Sequence, residues 1–141
     1  MLREIGIFGY SKLEPAIKTA LITGDPLLFI GKHGTAKTAL CRNLAALLGL
    51  EYHAYDASKA MFEDIIGFPD PKSLKNGSIE YIPTPMSIWG KEFILIDEIS
   101  RAQPALQNKW MEIIRSRSVM GMPLEDLRFV FAAMNPVSYI G

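Results

Sequence analysis

Apolar residues follow two different spacings along the chain. Short, continuous apolar runs predict strands that are buried on both faces, as in a central parallel sheet. Between these runs, apolar residues recur every three or four positions and predict amphipathic helices. Strands alternating with helices indicate an α/β fold in which helices cover both faces of a parallel sheet. We expect strands at 26–30, 52–55, 93–96 and 128–133, and helices from Ser11 or Glu14 and at about 37–48, 59–65 and 104–115.

Two further segments predict small hairpins. Asn76-Gly77 is typical of a tight turn, and the strand-like residues 79–82 follow it. Residues 119–124, which contain glycine and proline, predict another small turn or hairpin. The expected fold is therefore a three-layer αβα sandwich with small β-hairpin insertions.

Two polar patterns resemble helix N-termini. Ser11 and Glu14 have the spacing of a capping box, although Pro15 would suit the first helical position if the helix began later. Residues 56–58, Asp-Ala-Ser, could cap the short helix at 59–65.

Composition and charge narrow the class of protein. The chain has 141 residues, 49% hydrophobic and 21% charged, as expected for one folded domain. Its formal net charge of +0 gives no electrostatic reason to bind nucleic acid or an anionic membrane. Cys41 is the single cysteine, which excludes an intrachain disulfide and fits a reducing compartment. No apolar run reaches the length of about 18 residues that spans a membrane, and the N-terminus lacks a signal-peptide core, so we expect a cytoplasmic protein.

Residues 31–38, GKHGTAKT, lie between a predicted strand and a predicted helix. A glycine-containing loop that ends in Lys-Thr at this place is typical of a phosphate-binding loop. Its glycines would let backbone amides turn towards an anion, and the N-terminus of the next helix would favour negative charge. Lys37 would reach the β- and γ-phosphates, and Thr38 would hold Mg²⁺. The candidate nucleotide ligands are Gly31, Lys32, His33, Gly34, Thr35, Ala36, Lys37 and Thr38.

Ala36 stands where the common loop pattern has glycine. Its small side chain fits if the backbone φ is helical, whereas a left-handed φ would be costly for any residue except glycine.

Asp97 and Glu98 end the apolar run at 93–96. Alone they would indicate a solvated loop, but after a phosphate loop they predict a catalytic pair. Asp97 would hold Mg²⁺, usually through water, and Glu98 would polarise the water that attacks the γ-phosphate. We expect the Asp97 strand to neighbour the phosphate-loop strand, with both ending at the carboxyl edge of the sheet, where ligands bind in such folds.

Asn135 follows the last apolar strand and is expected at the same edge. Its amide could hydrogen-bond the γ-phosphate or the attacking water, which makes it the third catalytic candidate beside Glu98 and Lys37. An asparagine before proline is also common in turns.

Together these segments resemble an AAA+ ATPase of the MoxR-type, dynein-related branch, over about residues 10–141. GKHGTAKT resembles that branch's Walker A sequence, in which alanine before the lysine is frequent. The family's Walker B segment and following helix resemble ILIDEISRAQPALQNKWMEII. By this resemblance Asp97 binds the metal and Glu98 acts on the attacking water. FAAMNPVSYIG resembles its sensor-1 segment, with Asn135 as sensor, and GSIEYIPTP resembles its hairpin inserted in helix 2.

The resemblance implies ATP and Mg²⁺ as ligands, a ring that is usually hexameric, and remodelling or maturation of protein clients. Partners in this branch often carry von Willebrand A domains. The family pattern continues to an arginine finger, a helical lid and a second sensor arginine. We therefore expect residues 1–141 to be a nucleotide-binding core truncated after sensor 1. Because an arginine finger contributes roughly 10³–10⁵ in rate, we expect this chain to bind nucleotide weakly and hydrolyse it slowly.

Two other functions stay open at this point. Related AAA+ branches include helicases and restriction translocases, but the neutral charge and the few basic residues in 79–84 and 118–124 argue against nucleic acid. The chain could also be an interaction module that uses nucleotide to set its shape. The intact phosphate loop and carboxylate pair argue against that alternative.

Three remaining residues are interpreted as structural. Arg101 could face a neighbouring subunit's nucleotide, but a surface arginine at the start of a helix is the preferred interpretation. Cys41 is expected as a small buried thiol. His53 has no metal-ligand partners at suitable spacing.

Overall fold

The computed structural model describes residues 11–31, 36–73 and 77–136. Four parallel strands form its central sheet, in the order β1-β8-β5-β2. The strands of this sheet are β1 (Leu27–Ile30), β2 (Tyr52–Asp56), β5 (Phe93–Asp97) and β8 (Phe129–Met134). Two antiparallel pairs complete the strands, β3 (Phe68–Pro69) with β4 (Tyr81–Ile82), and β6 (Ser118–Val119) with β7 (Met122–Pro123). The helices are α1 (Glu14–Thr23), α2 (Lys37–Leu48), α3 (Phe62–Ile66) and α4 (Pro104–Ser116), with 3-10 turns at Ser11–Leu13 and Ile99–Arg101.

The sheet separates two hydrophobic clusters, which confirms the predicted αβα sandwich. Because successive side chains of a strand point to opposite faces, Phe93 and Leu95 pack with α1 and α2, while Ile94 and Ile96 pack with α3 and α4. All four side chains are fully buried. The continuous apolar run of β5 is therefore explained by burial on both sides.

The predicted neighbour of the phosphate-loop strand is wrong. Strand β8, and not β5, lies next to β1, and β5 pairs with the far side of β8. The first five residues of β8 are buried, whereas Leu28 and Ile30 of β1 are 49% and 63% exposed. Strand β8 thus takes the inner position, and β1 takes an edge of the described sheet, so the predicted burial of residues 27–30 on both faces is wrong.

Helix starts predicted from polar capping patterns were less accurate than strands predicted from apolar runs. Helix α1 begins at Glu14 with Leu13 at its N-cap and Pro15 in its first turn, so the Ser11 capping box is not what starts it. Helix α3 begins at Phe62 with Met61 at its N-cap, whereas the Asp56 carboxylate accepts hydrogen bonds from the amide and hydroxyl of Ser58 in a separate turn.

The strand-like residues 79–82 form a shorter strand than predicted. Within them, Tyr81 and Ile82 pair with Pro69 and Phe68, for which the sequence predicts no strand. The Asn76 half of the predicted tight turn lies outside the described residues. The second predicted hairpin is confirmed as the β6–β7 pair.

Gly67 connects α3 to the β3–β4 pair with φ 79° and ψ −156°, a conformation open essentially to glycine alone. A Cβ atom there would overlap the carbonyl oxygen of Ile82. We expect Gly67→Ala to lower the free energy of unfolding by at least about 3 kcal/mol in urea titrations, because strain and overlap add.

The matched control is Gly49→Ala. Gly49 also has a positive φ, 70°, but an added Cβ meets nothing within 4 Å. Backbone strain alone should destabilise it by about 1–2 kcal/mol. Equal losses in the two variants would contradict the overlap at Gly67.

The carboxylate of Glu112 on α4 holds the β6–β7 hairpin. It accepts hydrogen bonds from the amides of Gly121 and Met120 and from the Ser118 hydroxyl, each at 2.9 Å. The Gly121 amide is the largest cause of the lowered pKa of Glu112, and Ser118, Met120 and a nearby lysine lower this pKa further.

A carboxylate with a lowered folded-state pKa stabilises the fold in full above its ordinary pKa of 4.5, and the contribution is lost as pH falls through the folded pKa. We therefore expect Glu112→Gln to lower the free energy of unfolding at pH 7, and the difference from wild type to shrink below pH 4.5. Urea titrations at both pH values, with Glu125→Gln as the control at an exposed carboxylate, measure this difference. A difference independent of pH would contradict the assigned role.

Candidate functional site

The carboxyl ends of the four parallel strands lie side by side. Ile30 is in register with Met134 and Ile96 with Ala132, so the residues after β1 and β8 are neighbours. The Gly31 amide donates a hydrogen bond to the Met134 carbonyl at 3.1 Å, which places Asn135 beside the start of the phosphate loop. These pairings bring together three segments that are far apart in the sequence.

Helix α2 begins at Lys37, as predicted, with no side-chain cap at its N-terminus. Its first amides thus have the arrangement that favours an anion. Lys37 is only 7% exposed, and its Nζ donates a hydrogen bond to the Gly31 carbonyl at 3.0 Å. The Lys37 side chain therefore connects the start of α2 to the residue that follows β1.

The middle of the phosphate loop is outside the described residues. Of the eight predicted ligands, Gly31, Ala36, Lys37 and Thr38 are described, while Lys32, His33, Gly34 and Thr35 are not.

Ala36 adopts the left-handed conformation, with φ 62° and ψ 25°. This is the costly alternative for a residue that carries a Cβ atom, at about 1–2 kcal/mol. Its carbonyl nevertheless accepts the first hydrogen bond of α2, from the Leu40 amide at 2.9 Å. The sharp turn from loop into helix therefore occurs at Ala36.

Asp97 is the last residue of β5, and Glu98 follows it in the left-handed conformation, with φ 57° and ψ 38°. The Asp97 carboxylate accepts a hydrogen bond from the Glu98 amide at 2.9 Å, and its backbone carbonyl accepts one from Ala57 at 2.8 Å. The left-handed backbone at Glu98 turns the chain out of the strand direction directly after Asp97. Strain of this kind is concentrated at functional sites in proteins.

Asn135 is half-buried, and its Oδ1 atom is buried without a hydrogen-bond partner among the residues that the structure describes. Leaving such an acceptor unsatisfied costs about 1–3 kcal/mol. A ligand hydroxyl or water at the sheet edge would satisfy it, so this atom fits a bound group beside Gly31.

The described side chains include no group of three or more His, Cys, Asp or Glu residues that could hold a metal ion on their own. Mg²⁺ is commonly held by one or two protein groups together with nucleotide phosphates and water. Thr38 at the start of α2 and Asp97 at the end of β5 fit that donor set.

Cys41 lies beneath the site on α2 and is fully buried. Burial, and secondarily the Asp97 carboxylate, raise the pKa of its thiol far above the ordinary value, so it stays uncharged. The prediction of a small buried thiol is confirmed.

Sequence reasoning undervalued one residue at this edge, Arg101. Its Nε lies 3.9 Å from the Glu98 Oε2 atom, within the 3-10 turn that follows β5. The three-residue spacing of the two opposite charges is a signal that could have indicated the pair.

Within the described ranges, no helix is long and apolar enough to cross a membrane.

Two solved structures show what this architecture is similar to. An inferred ATPase from Cytophaga hutchinsonii is 27% identical and superposes with a TM-score of 0.68 over 96% of this chain and 42% of that protein. NtrX from Brucella abortus, in complex with ADP, superposes with a TM-score of 0.60 at 16% identity, over 98% of this chain and 33% of NtrX. The likeness to NtrX shows the fold alone. The chain spans less than half the length of either protein.

Comparison with curated proteins gives no match. Residues 26–140 match the family model described as the AAA domain of the dynein-related subfamily. This range starts just before β1 and contains every described residue of the site. The match confirms the resemblance seen in the sequence, and the chain belongs to the dynein-related subfamily of AAA domains.

Proposed function

We propose that the chain binds ATP with Mg²⁺ at the carboxyl edge of its sheet and hydrolyses the γ-phosphate. The observation that carries this proposal is the convergence at one edge of the α2 N-terminus, the Asp97–Glu98 pair and Asn135. On this proposal residues 1–141 are the nucleotide-binding core.

The proposed roles follow from the chemistry of each side chain. Lys37 and the α2 amides bind the β- and γ-phosphates, and Asn135 orients the γ-phosphate or the attacking water. Thr38 and Asp97 hold Mg²⁺, which neutralises phosphate charge when bound. The remaining residues of the phosphate loop would also contact these phosphates. They are Gly31, Lys32, His33, Gly34, Thr35 and Ala36.

Glu98 is proposed to orient the water and accept its proton. The water oxygen forms a bond to the γ-phosphorus while the bond from that phosphorus to the β,γ-bridging oxygen breaks, which releases ADP and phosphate. The Glu98 side chain is 14% exposed, so few competing solvent molecules surround it.

We further propose that hydrolysis drives remodelling of a protein client in a ring, which is expected to be a hexamer and can include a von Willebrand A domain partner. The β3–β4 pair supports a protein client over nucleic acid. Phe68 and Ile82 lie directly opposite each other and are 57% and 50% exposed. Neither hairpin has a lysine or arginine on its strands, which phosphate binding would favour. The buried, unpaired Cys41 fits a cytoplasmic location.

Binding and hydrolysis are separated by two substitutions in the 141-residue chain. We expect Lys37→Ala to weaken MgATP binding about tenfold or more in calorimetric titration, because a charge-assisted hydrogen bond contributes about 1.5–3 kcal/mol. Glu98→Gln should keep the wild-type affinity within about threefold and abolish hydrolysis, measured in single-turnover assays.

The matched control is Lys18→Ala, at an exposed lysine on α1. Wild-type affinity in Lys37→Ala, or wild-type hydrolysis in Glu98→Gln, would contradict the proposed site. Binding of duplex DNA with a steep salt dependence, or ATPase activity that depends on DNA, would favour the nucleic-acid motor instead.

The conformation of Ala36 gives a test of the loop itself. Because glycine adopts left-handed φ without the Cβ penalty, Ala36→Gly should raise the free energy of unfolding by about 1 kcal/mol, after the greater freedom of glycine in the unfolded chain is allowed for. Urea titration measures the change. Ala39→Gly, a substitution within α2, is the control and should instead destabilise by about 1 kcal/mol. Destabilisation by Ala36→Gly would contradict the left-handed turn.

A further inference from the structure

The pairing of Arg101 with Glu98 is built into one short turn. The Arg101 amide donates a hydrogen bond to the Glu98 carbonyl at 2.9 Å, and the Arg101 Nε lies 3.9 Å from Glu98 Oε2. Both the backbone and the side chain of Arg101 therefore contact the residue that is proposed to act on water.

The turn is fixed to the hydrophobic core behind it. The Ala102 amide donates to the Ile99 carbonyl at 3.2 Å, and Ala102 is only 6% exposed. The Ala102 carbonyl accepts a hydrogen bond from the Gln107 side chain at 3.3 Å, which connects the turn to α4. The backbone of the turn is therefore held in place, and the Arg101 side chain extends from a fixed position beside Glu98.

The exposure of the two side chains indicates that the pair positions Glu98 and adds little to the stability of the fold. The Glu98 side chain is 14% exposed and that of Arg101 is 50% exposed. A half-exposed guanidinium is screened by water, so such a pair adds little to the free energy of unfolding. A guanidinium close to a mostly buried carboxylate can still favour one rotamer of that carboxylate.

We propose that Arg101 is a positioning residue that holds the Glu98 carboxylate in the orientation used for hydrolysis. This inference rests on the proposed ATPase function. It also replaces the interpretation of Arg101 as a surface arginine, which predicts no effect on Glu98. Misplacing a catalytic group by about 1 Å can lower a rate by up to about a hundredfold, so the loss of this pair should be measurable.

The first test is independent of hydrolysis. In the ¹⁵N-labelled chain, the Nε–H signal of Arg101 is assigned by its disappearance in Arg101→Lys. Its ¹⁵N and ¹H chemical shifts should change in Glu98→Ala, because a charged carboxylate 3.9 Å from Nε is removed. The signal of Arg115, exposed on α4, is the internal control and should not change. An unchanged Arg101 signal would overturn the proposal.

The second test uses single-turnover hydrolysis of MgATP. Arg101→Ala should slow the rate at saturating ATP about tenfold, with the half-saturating ATP concentration changed less than twofold. Arg101→Lys should recover most of the rate because lysine keeps the positive charge. The recovery should be incomplete because lysine lacks the planar guanidinium group. The control Arg115→Ala should match wild type, and the melting temperatures of the variants should stay within about 2 °C of wild type.

The outcomes distinguish the two proposals. Glu98-dependent hydrolysis in wild type with an equal rate in Arg101→Ala would overturn the role of Arg101 and leave the proposed function intact. A lower melting temperature with a proportionate loss of ATP affinity would also overturn it, in favour of a structural role. Absence of Glu98-dependent hydrolysis in wild type would overturn the proposed function, and the catalytic role of Arg101 with it.

Discussion

The geometry of the site depends on the main-chain hydrogen bonding of β8, which pairs with β1 on one side and with β5 on the other. Parallel pairing in a fixed register makes all strands end at the same edge, so Gly31, Asn135 and Asp97 come to lie at that edge. The position of each polar group is thus determined by backbone pairing and by the burial of apolar side chains beneath it. The rigid sheet supplies the precision that loops alone would lack.

Two residues at this edge have left-handed backbone although neither is glycine. Ala36 turns the chain into α2, and Glu98 turns it away from β5. Conformations of this kind persist where the surrounding structure determines them, here through the first hydrogen bond of α2 and through the anchored turn after Glu98. The same local strain that weakens the fold slightly therefore orients the helix N-terminus and the carboxylate.

The sequence was most informative at its continuous apolar runs, because such a run predicts a strand that is buried on both faces. Residues 93–96 and 129–133 are buried on both faces, so the strands and the three-layer fold could be predicted from them. Asp97, Glu98 and Asn135 could be placed at the sheet edge because they directly follow such runs.

Strand order could not be predicted in the same way, because periodicity describes the environment of a strand and not its neighbour. Strand β3 was missed because Phe68 and Pro69 form a pair too short to leave a pattern. The conformation of Ala36 was left open because an alanine does not itself indicate a left-handed φ. The interaction of Arg101 with Glu98 was undervalued, although the three-residue spacing of the two charges is compatible with a pair inside one helical turn.

The phosphate loop follows a strand that is held on one side only within the described sheet. Strand β1 pairs with β8, while no other described strand pairs with its second edge. Because Gly31 continues directly from this strand, any polypeptide that pairs with the open edge also restrains the residue from which the loop starts. Nucleotide affinity and strand pairing at β1 are then thermodynamically linked, and each must change the other by the same factor.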